Sequence, residues 1–335
     1  MPTDSPHPAR EVRPPTSEDL ARARDVIAAH LAPTPLVPAT IGGRHAALKL
    51  ETLQPTGSFK VRGALAAVSA LRPGQRILAV SAGNHALGIA WAASRLDIPA
   101  TVVIAETASP AKRAKLERLP IELVRHGQSY DEAESHALAM TRNAPVGTAF
   151  ISAYNDPLVI AGSSAVLDEI VTQHPGDDPL TVVVPAGGGG LLAGTTLRAA
   201  ELATASRPIR VVGVESAMSR GLSASVAAGQ VVDVPVGDTI ADGLSGNIEP
   251  GSVTVEIIRH LGPGLVAVTD EEIEAAIRFL ATDHGIVAEG AGAVAVAALL
   301  TGKVAPDGDI VAIVSGRNIA LPRLAAILAP PATSS

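Results

Sequence analysis

Lys60 lies in Thr56-Gly57-Ser58-Phe59-Lys60-Val61-Arg62-Gly63, beside an aromatic ring and among small residues, a setting suited to covalent chemistry. A lysine amine condenses with an aldehyde to give an imine, and partial burial keeps that amine neutral and nucleophilic. Most lysines are instead solvated surface charges. Here Pro55 to Ser58 read as a turn and residues 61–71 as the start of an Ala-rich helix. Lys60 therefore falls at a loop-to-helix junction, where a phosphate or carboxylate could also lie.

Three further stretches carry chemistry of their own. Ser81-Ala82-Gly83-Asn84-His85 follows an apolar strand over 77–81 and opens a helix over 86–96, so its unpaired amides suit a carboxylate. Taken alone, Asn84 reads more readily as the helix cap. Gly187, Gly188, Gly189 and Gly190, with Leu191 next, sit tightly between a strand over 180–184 and a helix over 191–203. Lacking Cβ atoms, these residues can turn their N–H groups inward around a phosphate. Ser315 ends the last strand, 309–314, at the carboxyl edge where ligands sit in open parallel sheets, although a lone serine there is more often a turn residue.

The glycine run also admits a dinucleotide reading. Gly188-x-Gly190-x-x-Ala193 follows a strand, and Glu215 ends the next one, 211–214, where a ribose-binding acid would stand. That reading gives no role to Lys60 or to residues 81–85.

Ser58-Phe59-Lys60-Val61-Arg62-Gly63-Ala64 resembles the pyridoxal-phosphate lysine motif of the fold-type-II family, which includes threonine and serine dehydratases, serine racemase and the tryptophan synthase β-subunit. Ser81 to His85, Gly187 to Leu191, and Ser315-Gly316-Arg317-Asn318 match the same family in the same order, and the matches span most of the chain. The resemblance implies an α/β fold of two lobes, each an open, mostly parallel twisted sheet flanked by helices. It also implies pyridoxal 5'-phosphate held as an imine on Lys60, with Phe59 near the ring and Asn84 at the phenolic oxygen. Gly187 to Gly190 and Leu191 would surround the phosphate, and Ser315 would donate to the pyridine nitrogen. The amides of Ser81, Ala82, Gly83, Asn84 and His85 would hold the substrate carboxylate.

The implied activity is that of a serine/threonine ammonia-lyase: Lys60, displaced by the substrate, takes the Cα proton, the β-hydroxyl leaves, and a 2-oxo acid and ammonia result. L-Threonine or L-serine is the expected substrate, with hydroxyaspartate or a hydroxyectoine-pathway intermediate as alternatives. A hydroxyl at 315, unlike an acid, does not force the pyridine nitrogen to stay protonated, which favours elimination over transamination. Racemisation needs a proton donor on the far face of Cα, and serine racemases carry serine where this chain has Ala82. A non-catalytic binding protein on the same fold is the remaining alternative. The chain departs from the dehydratase pattern at Ser163-Ser164-Ala165, at Gly290 and at Arg317. Glu289, beside Gly290, is a further residue that could face the substrate.

Composition narrows the field. The chain has 335 residues and is 47% hydrophobic but only 2% aromatic, so its cores must be built from Ala, Val, Leu and Ile, which suits helices on parallel sheets. Net charge is −7, without a basic block, so nucleic acid is not an expected partner. No apolar run reaches membrane-spanning length, and residues 1–15 lack an apolar signal core, so a cytoplasmic protein is expected. Absence of cysteine excludes disulfides and thiolate chemistry. Some relatives begin a divalent-metal site at the position of Glu215; here Ser219, Arg220 and Gly221 follow, a carboxylate-poor loop, and no metal is expected.

The supporting elements follow from pattern. A Pro-rich tail over 1–15 is expected to be disordered, with Ser17 capping a helix over 18–31. Residues 16–48 and 152–335 should form the large cofactor-binding domain, and 49–151 a small mobile one. Lys112, Arg113, Lys115 and Arg118 give the helix over 110–119 a basic face, read as solvated surface rather than a regulatory anion site. Thr269 and Glu272 form a capping box for a helix over 270–284. Only 20 residues follow Ser315, which implies a short form without a regulatory domain. Family members are commonly dimers or tetramers, so a homo-oligomer is expected by resemblance.

Overall fold

The computed structural model describes residues 10–143, 147–305 and 307–329. The chain opens with helix α1 (Ser17–His30) and the hairpin β1 (Leu36–Ile41) and β2 (Arg44–Leu50). It continues through α2 (Lys60–Val68), β3 (Arg76–Val80), α3 (Asn84–Leu96), β4 (Ala100–Ile104), α4 (Pro110–Leu116), β5 (Glu122–Arg125), α5 (Tyr130–Asn143) and β6 (Thr148–Phe150). Then come α6 (Pro157–Gln173), β7 (Leu180–Pro185), α7 (Gly190–Leu202), β8 (Ile209–Ser216), α8 (Gly221–Ala228) and α9 (Val253–Leu261). The chain closes with β9 (Gly264–Val268), α10 (Asp270–His284), α11 (Gly290–Leu300), β10 (Asp309–Val314) and α12 (Leu321–Leu328).

These strands form two sheets, as the α/β expectation requires. The larger runs β1-β2-β10-β7-β8-β9 and is parallel apart from the β1–β2 hairpin; the smaller runs β5-β4-β3-β6 and is parallel throughout. Every residue of Leu180–Pro185 is buried, because helices cover both faces of the strand. Helix α11, Gly-Ala-Gly-Ala-Val-Ala-Val-Ala-Ala-Leu-Leu, is buried on all sides but its last residue, as befits a helix with no polar face. It packs into the core of the large lobe with Val183, Val212 and Ala312.

Several local expectations need correction. Thr16, not Ser17, caps α1: its hydroxyl accepts from the Asp19 amide while the Asp19 carboxylate takes the Thr16 amide, a complete capping box. Residues 36–41, which no local pattern marks as a strand, pair as edge strand β1, where Pro38 is tolerated because an edge strand can spare one donor. Strand β2 stays in the large sheet through Leu50, opposite Val314, so the expected border at 48/49 falls inside a strand. Residues 1–9 of the expected tail lie outside the described residues. Arg10, in contrast, is tied down: its guanidinium pairs with Glu249 at 2.5 Å and stacks over the Phe150 ring. The box at Thr269 and Glu272 forms as expected, and Gly285 ends α10 in the left-handed conformation.

Candidate active site

The four chemistry-bearing stretches meet at one crevice between the lobes. Strand β3 delivers Ser81, β7 leads into Gly187, and β10 delivers Ser315, all at carboxyl ends of parallel strands. Helix α2 begins at Lys60, and Phe59 just before it donates its amide to the Ser315 carbonyl at 3.0 Å. Phe59, Lys60, Ala82, Asn84, Gly188 and Ser315 all line one cavity of about 1490 Å³.

Lys60 is half-buried, and its amine donates to the Ala153 carbonyl at 2.7 Å. Burial pulls the amine down to about 8, against a smaller opposing pull from Glu289. It therefore keeps a useful neutral fraction at neutral pH.

The glycine loop is a cradle that side chains would fill. A Cβ on Gly187 would lie 2.9 Å from the Leu244 Cα, and one on Gly190 would lie 3.0 Å from the Tyr154 Cα. A Cβ on Gly188 would run into the Tyr154 ring, and Gly189 has φ +86°. Tyr154 is the prop beneath the loop, held by the Glu249 amide, which donates to its hydroxyl at 2.7 Å. The amides of Gly190 and Leu191 open α7 and have no partner within the helix, so they suit a phosphate.

Ser81 accepts the Gly83 amide at 3.0 Å, and Gly83 occupies the cap position of α3 without a side-chain cap bond. Asn84 is thus not the helix cap. Its side chain crosses the crevice, donating to Glu289 at 2.6 Å and accepting from Asn318 at 2.6 Å. His85 turns its ring away, with Nε2 at 3.0 Å from the Ile151 carbonyl; burial, then the Lys60 charge, lowers it to about 3. Only its amide is then available for a substrate. Ala82 offers the cavity no titratable group. The Ser315 hydroxyl has only a long bond, 3.4 Å to the Ala291 carbonyl, and is free to turn towards another acceptor.

Glu289 is buried at the cavity wall, and desolvation raises its carboxyl to about 7 despite the Asn84 hydrogen bond. Sequence reasoning placed it near the substrate but gave it no partners. It quoted Asn318 in a family motif and Lys115 on a basic face, but not the bond between them, because the two lie far apart along the chain.

The departures from the family pattern are now located. Ser163 and Ser164 are buried inside α6, donating to the Val159 and Ala161 carbonyls of their own helix, and Ala165 joins the apolar core. There α6 packs closely on α7, where a Cβ on Gly194 would press on the Ser164 amide. These residues therefore shape helix packing rather than the cavity. Arg317 is exposed and lines a neighbouring cleft of about 630 Å³. The Glu215 carboxylate accepts the Leu222 and Ser223 amides at 3.1 and 3.2 Å, so it caps α8, and the dinucleotide reading loses its ribose-binding acid. Among the described residues no cluster of His, Cys, Asp and Glu has the makings of a metal site.

A neutralisable lysine, a phosphate-sized cradle and a redirectable serine hydroxyl in one cavity fit a pyridoxal-phosphate site. Residues 27–316 match the family described as pyridoxal-phosphate dependent enzyme, and the chain belongs to that family. Within it, the chain is 40% identical over 276 residues to an L-threonine ammonia-lyase of Thermotoga maritima, covering 81% of this chain and 67% of that protein. It is 35% identical over 326 residues to the protein named L-threonine dehydratase catabolic TdcB of Staphylococcus aureus, covering 92% and 91%. Maize serine racemase superposes with a TM-score of 0.85 at 28% identity, over 94% of this chain and 97% of that one.

The cofactor of this family is pyridoxal phosphate, and the Lys60 environment predicts how capture depends on pH. With an amine near 8, about a tenth is neutral at pH 7, against roughly one part in three thousand for an ordinary lysine. Stopped-flow loading of apo protein should therefore speed up about tenfold between pH 7 and pH 9 and then level off. A rate still rising steeply above pH 9.5 would mean that Lys60 is an ordinary lysine.

Proposed function

We propose that this chain is an ammonia-lyase that removes the β-hydroxyl and the amino group of L-threonine or L-serine, giving a 2-oxo acid and ammonia. The observation that carries the reading is that Lys60, the glycine cradle and Ser315 share one cavity whose substrate loop has Ala82 in place of a proton donor. The relatives named for threonine dehydration support the substrate class.

Pyridoxal phosphate, when bound, supplies the electron-withdrawing ring that acidifies the substrate Cα. The rest falls to this chain's own residues. The amides of residues 81–85 orient the substrate carboxylate, fixing which Cα bond faces Lys60. The Lys60 amine takes the Cα proton as general base. Ser315 would hold the ring nitrogen through a neutral hydroxyl, which, unlike an acid, would not force that nitrogen to stay protonated and so would favour departure of the β-hydroxyl over transamination. Glu289, with its carboxyl raised to about 7, carries less negative charge at neutral pH than an ordinary glutamate, in a wall that must accept the substrate carboxylate. Alanine at 82 leaves the far face of Cα without an acid, which opposes reprotonation to the D-enantiomer.

Incubation with L-threonine should yield 2-oxobutanoate and ammonia in equal amounts, and L-serine should yield pyruvate with D-serine below about a hundredth of it by chiral chromatography. Rapid D-serine formation would overturn the assignment in favour of a racemase. Mobility of the four-stranded lobe, cytoplasmic residence and assembly into dimers or tetramers belong to the same proposal, carried by the family resemblance. Among the described residues no helix is long and apolar enough to cross a membrane.

A further inference from the structure

The basic face of α4 is not simply solvated. Arg113 pairs within its own segment, with Glu117 at 3.7 Å. Lys112 and Lys115, one turn apart, instead reach across the crevice to the large lobe. Lys112 meets Asp242 at 2.6 Å, an exposed pair of the kind worth little. Lys115 does something different, because its partner is the amide of Asn318.

An ammonium is only a donor, whereas an amide has a donor end and an acceptor end. Lys115 donates to Asn318 Oδ1 at 2.8 Å. The Nδ2 of Asn318 is thereby turned the other way, donating to the Thr56 carbonyl at 2.9 Å and to Asn84 Oδ1 at 2.6 Å. Asn84 must then present its own Nδ2 inward, where it donates to Glu289 Oε1 at 2.6 Å. The result is a one-way chain of N–H donors that steps from α4 to the loop after β10, back to α3, and out to the start of α11.

We propose that Lys115 is a positioning residue: through Asn318 it fixes the sense of the Asn84 amide, so that Asn84 offers an N–H, not a carbonyl, to acceptors in the cavity. This rests on the reading of Asn84 as a cofactor contact. Because the chain crosses the crevice at each step, it is complete only when the lobes are together, and closure and amide orientation are coupled.

The test compares Lys115→Arg, which remains a pure donor, with Lys115→Glu, a pure acceptor that demands the opposite sense, and Lys115→Met, which offers neither. Arg118→Glu makes the same charge change on an exposed residue just beyond α4. In apo protein, the side-chain NH2 signals of Asn84 and Asn318 should exchange slowly with water in the wild type and Lys115→Arg, and at least about tenfold faster in Lys115→Glu and Lys115→Met. In loaded protein, Lys115→Glu should shift the visible cofactor band and lower kcat/KM by about tenfold, with Lys115→Arg within about twofold of wild type. Unchanged exchange in Lys115→Glu, or an equal effect from Arg118→Glu, overturns the proposal. Absence of a cofactor band in the wild type defeats the functional reading instead, and the apo exchange measurement still decides the role of Lys115.

Discussion

Replacing Lys60 with alanine is expected to lower 2-oxo acid formation from L-threonine by about 10³-fold or more while leaving the fold intact. The catalytic loss follows from removing both the cofactor anchor and the base for the Cα proton. The fold survives because the amine has little structural work: it bonds the Ala153 carbonyl and lies 5.1 Å from the centre of the Phe59 ring. Deleting an amine whose burial already disfavours its charge relieves a cost. Unfolding in urea should place the variant within about 1 kcal/mol of apo wild type. Retention of more than a tenth of the activity would mean that another group takes the proton.

The second large effect concerns Arg62, two residues further along α2, where the expected loss is of stability. Its guanidinium is wholly buried and forked twice, to Glu51 at 2.7 and 2.8 Å and to Glu169 at 2.7 and 2.8 Å. Lys49, equally buried, joins Glu169 at 2.6 Å, and Thr34 donates its hydroxyl to Glu51 at 2.6 Å. Two cations and two carboxylates therefore close a neutral network beneath the lysine helix. Arg62→Met would strand the Glu51 carboxylate with no exposure to water, at about 3–5 kcal/mol. Arg62→Lys should recover only part, since an ammonium cannot fork to two carboxylates. The network also predicts acid sensitivity. Burial pushes the Glu51 carboxyl up, but Arg62 and Thr34 outweigh it and hold the group below its ordinary value. A carboxyl lowered on folding stabilises above its unfolded pKa, and that contribution fades as pH falls through the folded value. Urea midpoints at pH 7 and in acid should thus differ less for Arg62→Met than for wild type. A destabilisation below about 1 kcal/mol at pH 7 would contradict this account.

The sequence disclosed the site better than it disclosed what supports the site. Lys60, residues 81–85, the four glycines and Ser315 are local signals, each a loop between a strand and a helix, and the structure gathers them in one cavity. Nothing local marks residues 34–41 as structural, because Thr34 acquires its purpose from Glu51 and Pro38 hides an edge strand. Arg62 sat inside the lysine motif, yet nothing local reveals that Glu169, more than a hundred residues away, is its partner. Ser163 to Ala165 drew attention as a departure from the dehydratase pattern and proved to be helix packing. The stretch from 253 to 268 carried no reading at all, though α9 there is strongly amphipathic; Thr254 on it donates to the Gly188 carbonyl at 2.8 Å and so steadies the cradle.

The most direct test of the central claim is the absorbance of the cofactor-loaded protein between about 300 and 500 nm, before and after borohydride reduction, followed by peptide mapping. The account predicts a visible band that reduction abolishes and a pyridoxyl group fixed on the peptide carrying Lys60. A label on any other lysine, or no band after incubation with pyridoxal phosphate, would contradict it.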